Sequence, residues 1–123
     1  MIAYTTIGTN DLPRAAAFYD ALLAELGAVR AMDMGRLIAY ATGEGQPMFA
    51  ICTPEDEQVA TVGNGTMIAL TAENPAAVER LYTKALELGA TDAGAPGVRG
   101  GMFYIGYFRD LDGNKLNFFC PAA

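Results

Sequence analysis

Tyr107-Phe108-Arg109-Asp110-Leu111-Asp112-Gly113-Asn114-Lys115-Leu116-Asn117 reads as a strand, a tight turn and a second strand. Asp112-Gly113-Asn114 supply the turn, because Gly and Asn tolerate positive φ. The strand before the turn runs from Phe103 to Phe108, and the strand after it from Lys115 to Phe119. Strand alternation puts Ile105, Tyr107 and Arg109 on one face and turns Phe108 towards a covering helix.

Working outward, the chain repeats itself. Phe18-Tyr19-Asp20-Ala21-Leu22-Leu23-Ala24-Glu25-Leu26-Gly27-Ala28 resembles Leu81-Tyr82-Thr83-Lys84-Ala85-Leu86-Glu87-Leu88-Gly89-Ala90. Gln46 to Cys52 aligns with Asn114 to Cys120, both ending in cysteine, which makes Phe49 the counterpart of Asn117. Each half reads strand, helix, then three strands. The first module covers about residues 1–53, an acidic linker about 54–64, and the second module about 65–120, in one domain. Asn10 or Asp11 caps the first helix, with Pro13 in its first turn; Glu73 or Asn74 leads into Pro75 in the second. Leu12, Ala16, Tyr19, Leu22, Leu23 and Leu26 form one apolar stripe, and Val78, Leu81, Tyr82, Ala85 and Leu88 the other. Strands are expected at Ile2–Ile7, Arg36–Tyr40, Met48–Cys52 and Thr66–Thr71, and less clearly at Val29–Met32. Gly94 to Gly101 reads as a mobile, glycine-rich loop. The fold class is α+β: two βαβββ modules with helices outside and a cleft enclosed by the sheets.

Bulk properties bound the function. The chain has 123 residues, 52% of them hydrophobic and 18% charged, which suits one domain with a substantial core. Net charge is −6 and the pI about 4.4, which argues against nucleic acid and anionic membranes as partners. No apolar run approaches the roughly 18 residues of a membrane span. The opening Met1-Ile2-Ala3-Tyr4 lacks the basic and apolar regions of a signal peptide. Two cysteines make no disulfide framework, so a cytoplasmic location is expected.

These features together resemble the vicinal oxygen chelate superfamily, which includes glyoxalase I, bleomycin-resistance proteins, fosfomycin-resistance enzymes and extradiol dioxygenases. The residues that carry the resemblance are Thr9-Asn10-Asp11-Leu12, Ala17-Phe18-Tyr19, Leu26-Gly27 and Tyr107 to Leu116. Gly63-Asn64-Gly65-Thr66 and Gly94-Ala95-Pro96-Gly97-Val98-Arg99 resemble a glyoxalase-like bacterial subgroup. The resemblance implies a metal in the cleft, held by a histidine on the opening strand of each half and a late-strand carboxylate. Those positions fall here on Tyr4, Met67 and Asn117, with Phe49 as the fourth by the repeat. The chain has no histidine, and a phenol, a thioether and an amide make no first shell for a divalent ion. The expectation is therefore the fold without the metal, and no cofactor. The resemblance also implies a homodimer.

The cleft is expected to be lined by Tyr4, Thr6, Phe49, Met67, Tyr107 and Asn117. Tyr107 either presents its hydroxyl to a ligand or packs as a strand tyrosine. Thr6 shares a face with Tyr4 and reads equally as ordinary strand sequence. Asn117, if buried, needs hydrogen-bond partners and is either a ligand contact or a satisfied relic of the lost carboxylate. Phe49 and Met67 suit an apolar floor or plain core. Arg99 either clamps an anion or is a solvated arginine. Cys52 and Cys120 read as buried small hydrophobes, since no histidine activates them. The function expected is binding of a small, partly apolar organic molecule, with apolar or aromatic ligands preferred over small anions. The alternative is a cofactorless lyase or isomerase with Tyr107 or Tyr4 as acid/base. A metal-dependent lactoylglutathione lyase is disfavoured by the missing ligands.

Overall fold

The computed structural model describes all residues, 1–123. The chain divides into two compact units, Met1–Thr61 and Val62–Ala123. The first contains β1 (Tyr4–Gly8), α1 (Leu12–Ala24), β2 (Val29–Asp33), β3 (Leu37–Ala41) and β4 (Met48–Cys52). The second contains β5 (Ile68–Thr71), α2 (Pro75–Glu87), β6 (Thr91–Arg99), β7 (Phe103–Arg109) and β8 (Lys115–Pro121). Each is a βαβββ module, and the class is α+β. The four-stranded sheets have equivalent orders, β1-β4-β3-β2 and β5-β8-β7-β6. The first strand of each pairs in parallel with the last, and the other pairings are antiparallel.

Local chemistry starts both helices in the same way. The Asp11 carboxylate accepts from the Arg14 N–H at 3.1 Å, and the Asn74 side-chain oxygen accepts from the Ala77 N–H at 2.8 Å. Each cap satisfies a donor that the first helical turn leaves unpaired. Asn10, the other candidate cap, does different work. Its amide oxygen accepts from the Ala60 N–H at 2.7 Å and its amide nitrogen donates to the Ala60 carbonyl at 3.2 Å, fastening the segment after β4 to the start of α1.

Each helix covers one face of its own sheet. In the first unit Ala16, Tyr19, Leu22 and Leu23 of α1 are buried, and the Tyr19 ring lies 5.0 Å from that of Phe49. In the second unit Val78, Leu81 and Ala85 are buried, Phe108 stacks on Phe118 at 5.3 Å, and the Tyr104 hydroxyl donates to Glu79 of α2. Gly106 shares that helix-facing side: a Cβ there would come within 3.0 Å of Pro96 and 3.4 Å of Tyr82, so glycine lets α2 and β6 approach without displacing either side chain. Leu88, assigned to the stripe from its spacing, is only half-buried.

Two expectations are corrected. The Gly94–Gly101 stretch is no mobile loop: most of it belongs to β6, an edge strand paired with β7. Register shifts between Asp92 and Gly94 and between Gly94 and Gly97 absorb its irregular composition, and Pro96 sits inside the second shift, where no ladder hydrogen bond is required of it. The second correction concerns the repeat. The Thr9 N–H donates to the Cys52 carbonyl, and the equivalent Ala72 N–H donates to the Phe119 carbonyl. Cys52 therefore corresponds to Phe119, and Ala50, not Phe49, to Asn117. Aligning the two cysteines introduces a one-residue slip, which flips every side chain to the other face. Phe49 faces α1, and Cys120 is buried on the helix side while Cys52 is half-buried on the opposite one.

Candidate functional site

The turn that carries the sequence signature is built by one carboxylate. Asp110 is buried, and its side chain accepts from the backbone N–H groups of Asp112 and Asn114, both at 2.9 Å, and from the Asn114 amide at 3.1 Å. Gly113 closes the turn at φ +88°, a backbone region costly for any residue with a Cβ. The acidic residue in the motif thus holds the hairpin and is not free for chemistry. What the hairpin positions is the helix-free face of its sheet.

That face carries Tyr107 and Asn117, which are direct partners across β7 and β8. Ala69 of β5 is the other partner of Asn117, so Met67, two residues earlier, lies on the same side. Asn117 is 1% exposed. Its amide nitrogen donates to the Met67 Sδ at 3.3 Å, and its Oδ1 has no partner. Tyr107 is flanked by cations: the Arg99 guanidinium carbon lies 5.7 Å and the Lys115 Nζ 5.3 Å from the ring centre. Arg99 also donates to the Ala95 carbonyl at 2.7 Å, and Arg109 to the Gly113 carbonyl at 2.9 Å. Beside them a cavity of about 710 Å³ is lined by Val62 to Met67, Arg109, Gly113 and Lys115.

The first unit has its own helix-free face. Tyr4, 58% exposed, partners Met48, and Thr6 partners Ala50, so both lie opposite the helix side. Tyr4, Met32, Met34, Leu37, Ala39 and Met48 line an apolar hollow of about 150 Å³. Of the predicted lining residues, Tyr107, Asn117 and Met67 are thus gathered in the second unit, and Tyr4 and Thr6 share a face in the first. Phe49 belongs to neither face. Sequence reasoning passed over Lys115, although it stands two residues from Asn117 and so on the same face, and over the methionines of the first unit.

The donor set does not fit a catalytic metal. Tyr4, Met67, Asn117 and Ala50 occupy the positions that correspond between the units, and no three of the chain's cysteine, aspartate and glutamate side chains come together as a metal-holding group.

A family model described as the glyoxalase/bleomycin resistance protein/dioxygenase superfamily matches residues 1–118. This chain belongs to that superfamily. A glyoxalase/bleomycin resistance protein from Albidiferax ferrireducens superposes with a TM-score of 0.89 at 32% identity, covering 97% of each chain. A hypothetical protein from S. aureus matches with a TM-score of 0.75 at 26% identity, over 97% of this chain and 91% of that one. A lactoylglutathione lyase from Agrobacterium tumefaciens gives 0.72 at 21% identity, over 97% and 92%, a likeness of fold alone. No curated protein matches the chain. No helix of this superfamily member is long and apolar enough to cross a membrane.

Proposed function

We propose that this chain binds a small, partly apolar organic molecule, without a metal ion, on the helix-free face of its second unit. The observation that carries this reading is the Asn117 side chain: it is almost fully buried, yet its Oδ1 is unpaired. A buried acceptor without a donor is destabilising, and a ligand that displaces the exposed Met67 side chain from Asn117 and supplies a hydroxyl or N–H removes the penalty. Tyr107 and Met67 contribute an aromatic ring and a soft thioether next to it, the mix expected of a small-molecule pocket. Tyr4 and Thr6 are proposed as contacts on the first unit's face. The same reading makes the protein a cytoplasmic homodimer that does not bind nucleic acid or membranes.

A thermal-shift screen of small organic molecules, with mass spectrometry of anything co-purified, tests the reading. A true ligand raises the melting temperature of the parent chain and raises it less in Asn117→Leu. Equal shifts in both proteins place the ligand elsewhere. The second reading, a cofactorless lyase or isomerase with Tyr107 as acid/base, is suggested by the central position of that phenol on the face, with Tyr4 as the other candidate. Turnover that follows a titrating group and disappears in Tyr107→Phe supports it; binding without turnover across the pH range rejects it. Lactoylglutathione lyase activity through a metal is not proposed, because the donor set offers no site.

A further inference from the structure

The second unit's face carries an imbalance of charge that binding of an apolar body leaves unexplained. Arg109 and Lys115 are direct partners across β7 and β8, so two cations sit side by side on one face. Like charges directly opposite each other destabilise a strand pair. Arg99, partnered with Phe103, adds a third cation to the same side. None of the three takes part in an ion pair; Arg99 and Arg109 donate to backbone carbonyls, and Lys115 lies over the Tyr107 ring. No residue whose side chain shares this face on β5 to β8 is acidic. The chain as a whole has 14 acidic residues against 8 basic, so an acid-free face holding three of the eight departs from its overall composition. Asn117, with its buried and unpaired Oδ1, is two residues from Lys115 along β8, about 7 Å at the usual strand rise.

We propose that the ligand is a small organic acid: a carboxylate held between Lys115 and Arg109, carrying a hydroxyl or N–H that donates to Asn117 Oδ1, and an apolar or aromatic body against Tyr107 and Met67. This rests on the reading of the face as a ligand site and specifies its chemistry. Charge-assisted hydrogen bonds to a carboxylate relieve the repulsion between the two paired cations. Asn117 and Lys115 share one strand and one face, so a single molecule can carry both the donor and the acid. A singly charged group suits the site better than a doubly charged one, since the net charge of −6 repels a dianion more strongly.

Four probes separate the parts: 3-phenyllactate, its methyl ester, 3-phenylpropionate and phenyl phosphate, titrated into the isotope-labelled full chain and followed by NMR. Phenyllactate should bind about tenfold tighter than its ester, and about tenfold tighter than phenylpropionate, which lacks the donor. Shifts should centre on Arg109, Lys115, Asn117 and Tyr107, and the acid-to-ester ratio should shrink as salt is raised. Lys115→Gln and Arg109→Gln should each bring that ratio towards one. Equal binding of acid and ester on this face overturns the acid assignment and leaves the ligand site standing. Phenyl phosphate binding tighter than phenyllactate overturns the choice of carboxylate. No shift on this face with any probe overturns the site and the acid together.

Discussion

Asn117 sets function against stability in one side chain. Leucine is close in shape and has no acceptor to leave unpaired, and replacing an unsatisfied buried polar group recovers part of a penalty of about 1–3 kcal/mol. Asn117→Leu should therefore be as stable as the parent or up to about 2 kcal/mol more stable in urea denaturation, while losing ligand. A loss of several kcal/mol instead would mean that the amide is structural. Phe49 behaves in the opposite way. It is 7% exposed and packs on Tyr19, so Phe49→Ala should lower stability by about 3–5 kcal/mol without acting on a ligand directly. Asn117 stands out in the sequence because a polar residue between Leu116 and Phe118 is conspicuous, and the structure buries it. Sequence reasoning misplaced Phe49, because two cysteines in similar positions invite a register one residue out, and in a strand that is enough to exchange the faces. The unpaired Oδ1 lay beyond sequence reasoning altogether, since satisfaction depends on what β5 and β7 bring alongside.

The helices were readable because their signals are local: a capping side chain, a proline in the first turn and an apolar stripe of period 3.6. Leu22 and Leu81 are both 0% exposed, so truncating either to alanine should lower stability by about 2–5 kcal/mol, whereas Glu87→Ala on the exposed side should be near neutral. Chemical denaturation of the three variants checks the helical phase; equal losses at all three would show it wrong. β6 was hidden because its glycines and proline mimic a loop, and only its partner β7 reveals the bulges that accommodate them. β2, exposed along its whole length, was only faintly legible at Val29–Met32 for another reason: it lacks an apolar alternation, and a cross-element clasp helps to hold it. Arg30 on β2 donates to both oxygens of Asp20 on α1, at 2.9 and 2.8 Å, and the Tyr40 hydroxyl of β3 donates to the same carboxylate at 2.8 Å. The bond from Arg30, aided by that from Tyr40, holds the Asp20 carboxyl below its ordinary value of 3.8, while burial and the Asp20 bond push the Tyr40 phenol up. A carboxyl depressed on folding stabilises the protein above its unfolded value and loses that contribution as pH falls through the folded one. The Arg30 and Asp20 side chains are 41% and 44% exposed, so solvent screening limits the effect of Asp20→Asn to about 1 kcal/mol at neutral pH. The stability gap between parent and variant should close as pH drops below 3.8, and a gap that persists there would assign it to packing.

At the scale of the whole molecule, the superfamily fold is carried by a chain without histidine. Purified protein should carry no stoichiometric transition metal, and a chelator should leave the melting temperature unchanged; about one tightly bound zinc, nickel or manganese per chain by elemental analysis would defeat this. The sheet edges bear on assembly. β1 and β2 each have one strand neighbour in the first sheet, as do β5 and β6 in the second. β6 is blunted by its bulges and proline, and β2 carries a bulge and the Arg30 clasp, whereas β1 and β5 are short, regular edges. Tyr4, Met32 and Met34 on the first unit stay exposed and line one apolar hollow, a surface suited to a partner. Covering part of it with a second copy gives a closed, symmetric assembly at no cost in new sequence. Light scattering should therefore return the mass of two chains at micromolar concentration, and Tyr4→Glu or Met34→Glu, each placing a charge among apolar neighbours, should shift the population towards one chain while leaving the helical signal intact. A single-chain mass for the parent protein across a wide concentration range would overturn the homodimer.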